Sequence, residues 1–472
     1  MKFLKKDKKE SDVRSVDVSE LNRRTTRDFA KARKKHIARE HLEGIVISEE
    51  YKVVESLLKS GCPVVFVTGN AGTGKTTLIH YLKNILDRKV VVVAPTGVAA
   101  LNAGGMTIHS FFHLPPKIHE DEDIKLVHNR KLYKKMDLLI IDEVSMVRCD
   151  LLDSIDKFLQ KNRSSRKPFG GVQLLLVGDL FQLPPVVSRE EWDVLEQKGY
   201  ASPYFFSSFG LQNTSMAPVE LTYIYRQEDS TYIDLLNSIR VGDDIESVIE
   251  KLNGQLCEDY YQPDITLTCT NNLADKINKY ELGNLLSEEH LFKGTLEGHF
   301  TLEQNKLPAP MELRLKEGAR VMFTKNDAQR RWVNGTIGVV RKIEQRTIMV
   351  ELLSNSRGSV YDVLPEIWES YKYAYDSEQD EIVSNKVGQY TQYPLMLSWA
   401  VTIHKSQGKT LDNVLVDLGS GAFASGQVYV ALSRCRSIDG FRLARPIREM
   451  DVKSDPMIIR FYIELSKMMR SI

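Results

Sequence analysis

Short apolar runs bounded by turn residues recur through the first half of the chain. Pro63-Val-Val-Phe-Val-Thr, Val90-Val-Val-Val-Ala, Leu138-Leu-Ile-Ile and Leu174-Leu-Leu-Val show no polar alternation and read as strands buried on both faces. Between the first two, Thr76-Thr-Leu-Ile-His-Tyr-Leu-Lys-Asn-Ile-Leu carries a helical period. Buried strands alternating with helices predict an α/β fold with a parallel sheet covered on both sides. A polar stretch rich in His and Lys, about 112–135, interrupts the pattern. From about Leu313 the texture changes to Val321-Met-Phe, Gly335-Thr-Ile-Gly-Val-Val and Thr347-Ile-Met-Val-Glu-Leu, separated by Asn-Gly and Ser-Arg-Gly turns, which predicts a small antiparallel barrel. Alternating texture returns near Leu395 and runs to about Arg442, so the barrel reads as an insertion in a second α/β unit that opens near Val219.

The 472 residues suit two to four domains, and 42% apolar residues suffice for packed cores. No apolar run approaches the ~18 residues of a membrane span, so a transmembrane protein is excluded and no membrane partner is expected. Five cysteines form no CxxC pair, which fits a reducing, cytoplasmic setting. The start, Met1-Lys-Phe-Leu-Lys-Lys, has no apolar core of a secretory signal. Near-neutral net charge hides an asymmetry. Residues 1–44 hold 14 Lys/Arg against 8 Asp/Glu, a surplus of +6, and the remainder carries −5. This basic arm is either a solvated tail or a segment that contacts nucleic acid.

Gly69-Asn-Ala-Gly-Thr-Gly-Lys-Thr76 matches G-x-x-x-x-G-K-[ST] and sits between a predicted strand and a predicted helix. Glycines let backbone N–H groups converge on phosphates at a helix N-terminus. The nucleotide-binding candidates are Gly69, Ala71, Gly72, Thr73, Gly74, Lys75, Thr76 and Thr77, with Lys75 reaching the β/γ-phosphates and Thr76 reaching Mg²⁺. Leu138-Leu-Ile-Ile-Asp-Glu-Val ends a strand in Asp142, a second Mg²⁺ candidate, and Glu143, which could deprotonate the attacking water. The chain therefore reads as an NTPase. Gln182, in Gly178-Asp-Leu-Phe-Gln-Leu-Pro-Pro, is placed to sense the γ-phosphate. Arg226 in Tyr225-Arg-Gln and Arg434 in Ala431-Leu-Ser-Arg-Cys-Arg lie outside the P-loop unit and could act as arginine fingers across a cleft.

These segments, joined by Ala94-Pro-Thr-Gly-Val-Ala-Ala, Thr107-Ile-His-Ser-Phe-Phe, Thr402-Ile-His-Lys-Ser-Gln-Gly and Tyr429-Val-Ala-Leu-Ser-Arg, resemble in order and spacing the superfamily 1 helicases, and within them the Pif1 family. Glu143-Val-Ser-Met-Val and Pro168-Phe-Gly-Gly-Val-Gln are similar to stretches peculiar to that family. The resemblance covers roughly residues 45–445. It implies two RecA-like domains: 1A over 45–217 with a wedge insert (1B) at about 112–135, and 2A over 218–304 and 394–445. An SH3-like barrel (2B) would fill 305–393, and a helical tail 446–472. It further implies ATP and Mg²⁺ as cofactors, 5′→3′ movement on single-stranded DNA, unwinding from single-strand/duplex junctions, and a monomeric motor. Thr96, His109, Thr402, His404, Lys405 and Ser406 would face DNA or the interdomain cleft, with Phe112, at the edge of the wedge, the first aromatic to test for base stacking.

One position departs from the family. Where its members carry a Gln that reads adenine, Ile47-Ser-Glu-Glu-Tyr51 places Tyr51. A phenol cannot make the bidentate amide pairing that identifies adenine, though it can stack on a base. A second functional class also fits the motifs: a nucleotide-gated DNA-binding or remodelling ATPase that does not unwind processively.

Overall fold

The computed structural model describes residues 47–227, 229–257, 261–300, 307–353 and 358–470; the basic arm expected at 1–44 lies outside the described residues. Helix α1 (Glu49–Lys59) leads into β1 (Val64–Gly69) and, through the glycine-rich turn, into α2 (Lys75–Ile85). The first unit continues through β2 (Val90–Ala94), α3 (Gly97–Asn102), β3 (Met106–Thr107), α4 (Ile108–Phe112), β4 (Leu138–Ile141), α5 (Cys149–Arg163), β5 (Gln173–Val177) and β6 (Met216–Leu221). Its six strands are parallel in the order β3-β2-β4-β5-β1-β6.

Side chains along each strand alternate between two cores. Val64, Phe66, Leu139 and Ile141 pack on the face covered by Leu152 and Ile155 of α5. Val65, Val67, Leu138 and Ile140 pack on the opposite face against Leu78 and Leu82 of α2. Burial on both faces is the reason these strands carry no polar alternation.

The second unit contains α6 (Ser230–Val241) and β7 (Ile265–Thr268) before the chain leaves for a β-rich insertion. That insertion holds β8 (His290–Lys293), β9 (Thr295–Gly298), β10 (Glu312–Leu315), β11 (Arg320–Phe323), β12 (Ile337–Ile343), β13 (Ile348–Leu352), β14 (Val360–Val363), β15 (Glu366–Asp376), β16 (Glu381–Gln392) and β17 (Leu395–Leu397). The chain then returns as β18 (Ala400–Thr402), α7 (Ile403–Ser406), β19 (Val414–Asp417), α8 (Gln427–Leu432) and β20 (Phe441–Leu443). Strands β18-β7-β19-β20 form a second parallel sheet, so both α/β units are present.

Three boundaries differ from the sequence expectation. Val219 does not open the second unit, because β6 pairs with β1 along its whole length, from Val64↔Met216 to Gly69↔Leu221. Residues 290–298 do not belong to the second parallel sheet: β8 pairs with β10 and β9 with β16, both antiparallel. Nor does β17, which pairs with β11 and closes the five-stranded antiparallel sheet β14-β13-β12-β11-β17. Local texture cannot report these partners, since pairing is decided by chain segments far away in sequence.

The β15–β16 hairpin reaches back to the first unit. The Val92 N–H donates to Tyr373 Oη at 3.3 Å, and the Tyr373 ring lies edge-on to Phe111. At its tip the Asp380 carboxylate meets Lys89 at 3.2 Å and Lys135 at 3.1 Å. The terminal helix α9 (Pro456–Met469) starts at its N-cap, Asp455, whose carboxylate accepts from Met457 N–H and from Tyr204 Oη. It docks on the first unit by stacking Phe461 on Phe206 at 4.2 Å. No described helix is long and apolar enough to cross a membrane, and all five cysteines are unpaired.

Candidate active site

The P-loop wraps the N-terminus of α2. Gly74, the N-cap, has φ +85°, and a Cβ there would lie 2.6 Å from Tyr51 Oη. Gly72 has φ +87°, and a Cβ would lie 2.6 Å from Arg226 Cβ. Both positions thus require glycine for backbone conformation and for close approach. Thr73 is buried and donates to Asn70 O, while Thr76 and Thr77 sit half-buried in the first helical turn. The Lys75 ammonium is folded onto the loop, donating to Gly69 O at 2.8 Å and Asn70 O at 2.9 Å. Burial pulls its pKa down, against the opposing pull of Asp179, Glu143 and Asp142.

Tyr51 is 2% exposed, its ring within the core and its hydroxyl donating to Gly74 O at 2.7 Å. The expectation that it stacks on a base is therefore corrected: it braces the P-loop from beneath.

At the end of β4, the buried Asp142 and the half-buried Glu143 form an acid pair. Burial and then the Glu143 charge raise the Asp142 pKa, and burial raises that of Glu143 against Lys75. Glu143 is held in left-handed backbone (φ +50°), with its N–H donating to Asp142 Oδ1 at 2.9 Å. The second unit touches this pair directly. Gln407 Nε2 donates to Glu143 Oε2 and to Gln182 Oε1, both at 3.1 Å. Gln182 in turn donates to Asp179 at 3.1 Å.

Both expected arginines converge here. Arg226 donates to Ser433 O at 3.2 Å and Gly408 O at 3.3 Å, and its neighbour Tyr225 donates its N–H to Gly72 O at 3.0 Å. Arg434 is 1% exposed and donates to Val430 O and Ser433 Oγ, both at 2.8 Å. Burial, and then the Arg434 charge, lower the Arg226 pKa to about 9. Burial likewise lowers that of Arg434, with Tyr429 and Glu143 opposing.

Sequence reasoning missed three contributors. Gln407 and Tyr429 lie inside quoted motifs, but nothing local shows what they touch. Tyr429 Oη accepts from the Ala71 N–H at 3.1 Å and donates to Asp179 Oδ2 at 3.1 Å, so the second unit bonds a P-loop amide. Arg240, on α6, left no motif signal at all. Its buried guanidinium lies 3.5 Å from Asp179 and 3.9 Å from Glu220, and packs on the rings of Phe181 and Tyr462, which also contact each other. Removing one member of a buried ion pair costs about 3–5 kcal/mol, because the partner charge stays desolvated. Arg240→Met should therefore lower unfolding free energy by about 3 kcal/mol in urea melts, and a loss under 1 kcal/mol would mean that Tyr429 and Gln182 alone satisfy Asp179.

The residues expected to meet DNA divide into two groups. Lys405 is exposed, and Thr96, His109 and His404 are half-buried, with Thr96 Oγ1 capping α3 at Ala99 N–H. Burial lowers the His404 pKa. Thr402 and Ser406 are buried instead: Thr402 Oγ1 caps α7 at Lys405 N–H, and the Ser406 hydroxyl donates to Ile403 O. Phe112 is corrected outright. It is 0% exposed and packs edge-on against Phe111 and Phe158. Truncating a buried aromatic costs about 3–5 kcal/mol. Phe112→Ala should accordingly lower stability by that amount in denaturant melts while the folded fraction keeps its DNA affinity; an unchanged melt with weakened DNA binding would return Phe112 to the DNA surface.

Comparison with known proteins agrees with this geometry. The family described as PIF1-like helicase matches residues 48–249. Human ATP-dependent DNA helicase PIF1 is 33% identical over 440 residues, which are 89% of this chain and 64% of that protein, so the chain spans less than two thirds of the human relative. Bdellovibrio bacteriovorus ATP-dependent DNA helicase Pif1 is 34% identical over 431 residues, 89% of this chain and 92% of that one. Bacteroides sp Pif1 in complex with ADP-AlF4 superposes with a TM-score of 0.82 at 35% identity, covering 90% of this chain and 98% of the other. The Bacteroides Pif1 helicase in complex with ADP-AlF3 and ssDNA gives a TM-score of 0.65 over the same shares at 35% identity.

Proposed function

Because this chain belongs to the PIF1-like helicases, we propose that it is an ATP-dependent DNA helicase that moves 5′→3′ along a single strand and opens the duplex ahead of it. The observation that carries the proposal is the contact of Gln407 with both Glu143 and Gln182. Hydrolysis chemistry on the first unit is thereby tied to the second, and closing or opening the cleft must disturb the group that activates water. A motor needs that dependence of domain position on nucleotide state. A single chain supplies both halves of the site, which supports a monomeric motor.

In this reading Lys75 stabilises the transferring phosphoryl, Glu143 takes the proton of the attacking water, Gln182 senses the γ-phosphate, and Arg226 and Arg434 neutralise developing charge. Thr76 and Asp142 would hold Mg²⁺, which would supply neutralisation of phosphate charge. Two neighbouring carboxyls whose charged forms are disfavoured, by burial first and at Asp142 then by the Glu143 charge, fit a divalent cation. Thr96, His109, His404 and Lys405 would hold the DNA backbone without reading bases. The test is strand displacement on duplexes with a 5′ or a 3′ single-stranded tail. Unwinding of the 5′-tailed substrate alone is expected. Unwinding of the 3′-tailed substrate alone would reverse the polarity, and DNA-stimulated hydrolysis with no displacement would favour the nucleotide-gated remodeller.

A further inference from the structure

Asp179 stands where the loop after β5 meets the second unit, and its carboxylate is fully buried. Its Oδ2 accepts from Gln182 Nε2 and from Tyr429 Oη, both at 3.1 Å, and its Oδ1 accepts from the Phe181 N–H at 3.2 Å. The first bond fixes the Gln182 amide and leaves its Oε1 to accept from Gln407. The second holds Tyr429 so that its oxygen accepts from the Ala71 N–H of the P-loop. Both bonds need an acceptor, and an ionised carboxylate offers nothing else. A carboxylate shut away from water keeps its charge only beside a counter-charge.

Arg240 supplies it. Its Nε lies 3.5 Å from Asp179 Oδ1, and among the described residues its Nε and Nη2 make no hydrogen bond, so it acts on Asp179 as a charge. Burial against the rings of Phe181 and Tyr462 removes the water that would screen that charge. Lys75 and Arg434 also feel the Asp179 charge, but both are assigned to the phosphates and leave Arg240 as its standing partner. Asn237, three residues before Arg240, shares its face of α6 and accepts from Asn70 Nδ2 of the P-loop at 2.8 Å. One helix of the second unit thus grips the P-loop and the loop that carries Gln182.

We propose that Arg240 is a positioning residue for hydrolysis: as the counter-charge of Asp179 it keeps Gln182 and Tyr429 in their working orientations without itself touching the nucleotide. The proposal rests on the hydrolytic site assigned above. Arg240→Met should lower kcat of DNA-stimulated hydrolysis, counted per folded molecule from parallel melts, by about 30-fold, while the Kd of ADP with Mg²⁺ changes by less than about threefold. A merely structural residue would lower the folded fraction and leave kcat per folded molecule unchanged. Arg240→Lys restores the charge without the planar fork and should recover at least about fivefold of the loss. Combined with Asp179→Asn, the two losses should fail to multiply, because both act through one carboxylate. If Arg240→Met does not fold, Arg240→Gln takes its place with the same expected loss. A kcat within about threefold of wild type, a raised KM and Kd at unchanged kcat, no recovery in Arg240→Lys, or losses that multiply would each overturn the proposal. Absence of hydrolysis in the wild-type protein would instead remove the site assignment, and the proposal with it.

Discussion

Replacing Lys75 by Ala is expected to reduce DNA-stimulated hydrolysis by at least about 10³-fold, and Glu143→Gln by about 10²–10⁴-fold, with different effects on binding. Lys75 is a half-buried ammonium parked on Gly69 O and Asn70 O. Those two carbonyls are weak substitutes for a triphosphate, so the side chain is free to exchange them for phosphate oxygens. Its loss removes charge from both ground and transition states, and nucleotide affinity should fall together with turnover. Glu143→Gln keeps the shape of the site and its bond from Gln407 but cannot accept a proton. Mg²⁺-nucleotide binding should survive while turnover is lost. Burial raises the Glu143 pKa. The base works only when deprotonated, so hydrolysis should decline as pH falls through that raised value. Turnover near the wild-type rate in Glu143→Gln would remove Glu143 from the role of base.

The second large effect concerns the arginines. Arg226→Ala and Arg434→Lys should each lower kcat by about 10³-fold or more while changing nucleotide Kd by less than about tenfold. The buried Arg434 guanidinium lies close enough to the half-buried Arg226 to help depress the Arg226 pKa, and among the described residues neither has a carboxylate in hydrogen-bond contact. Holding like charges together costs free energy that an anion between them returns, most strongly as negative charge develops on the transferring phosphoryl. Arg434 is also a packed part of the second unit, so the lysine variant preserves charge and bulk but loses the planar fork. Thermal melts alongside the kinetics separate a folding defect from a catalytic one. An unchanged kcat with a raised KM would make either arginine a binding residue only.

The chemistry-bearing segments were legible because each is a local device. A strand, a glycine turn and a helix N-terminus suffice to build the P-loop, and a buried strand ending in Asp142-Glu143 needs no distant partner to be recognised. The same holds for Arg434, whose motif lies in the second unit, whereas Arg226 sits on the segment that joins β6 to α6 and reaches the second unit only through its side chain. Tyr51 shows the limit of such reading. Its position marks it as a base contact, yet its ring is swallowed by the core of α1 and α2 and its hydroxyl is used by Gly74.

Local spacing along the chain thus determined the α/β class, the phosphate loop, the acid pair and the identity of the arginines, since backbone conformation and short-range hydrogen bonds decide all of these. Tertiary structure alone decided that β6 completes the first sheet, that the β15–β16 hairpin crosses to Val92 and Lys89, and that Phe112 and Ser406 are interior. It also decided that Gln407 meets Glu143 across a sequence separation of 264, and that Tyr429 meets Ala71 across 358. Burial and contacts across the cleft depend on which distant segments pack together, and hydrophobic periodicity records only that a face is covered, never by what.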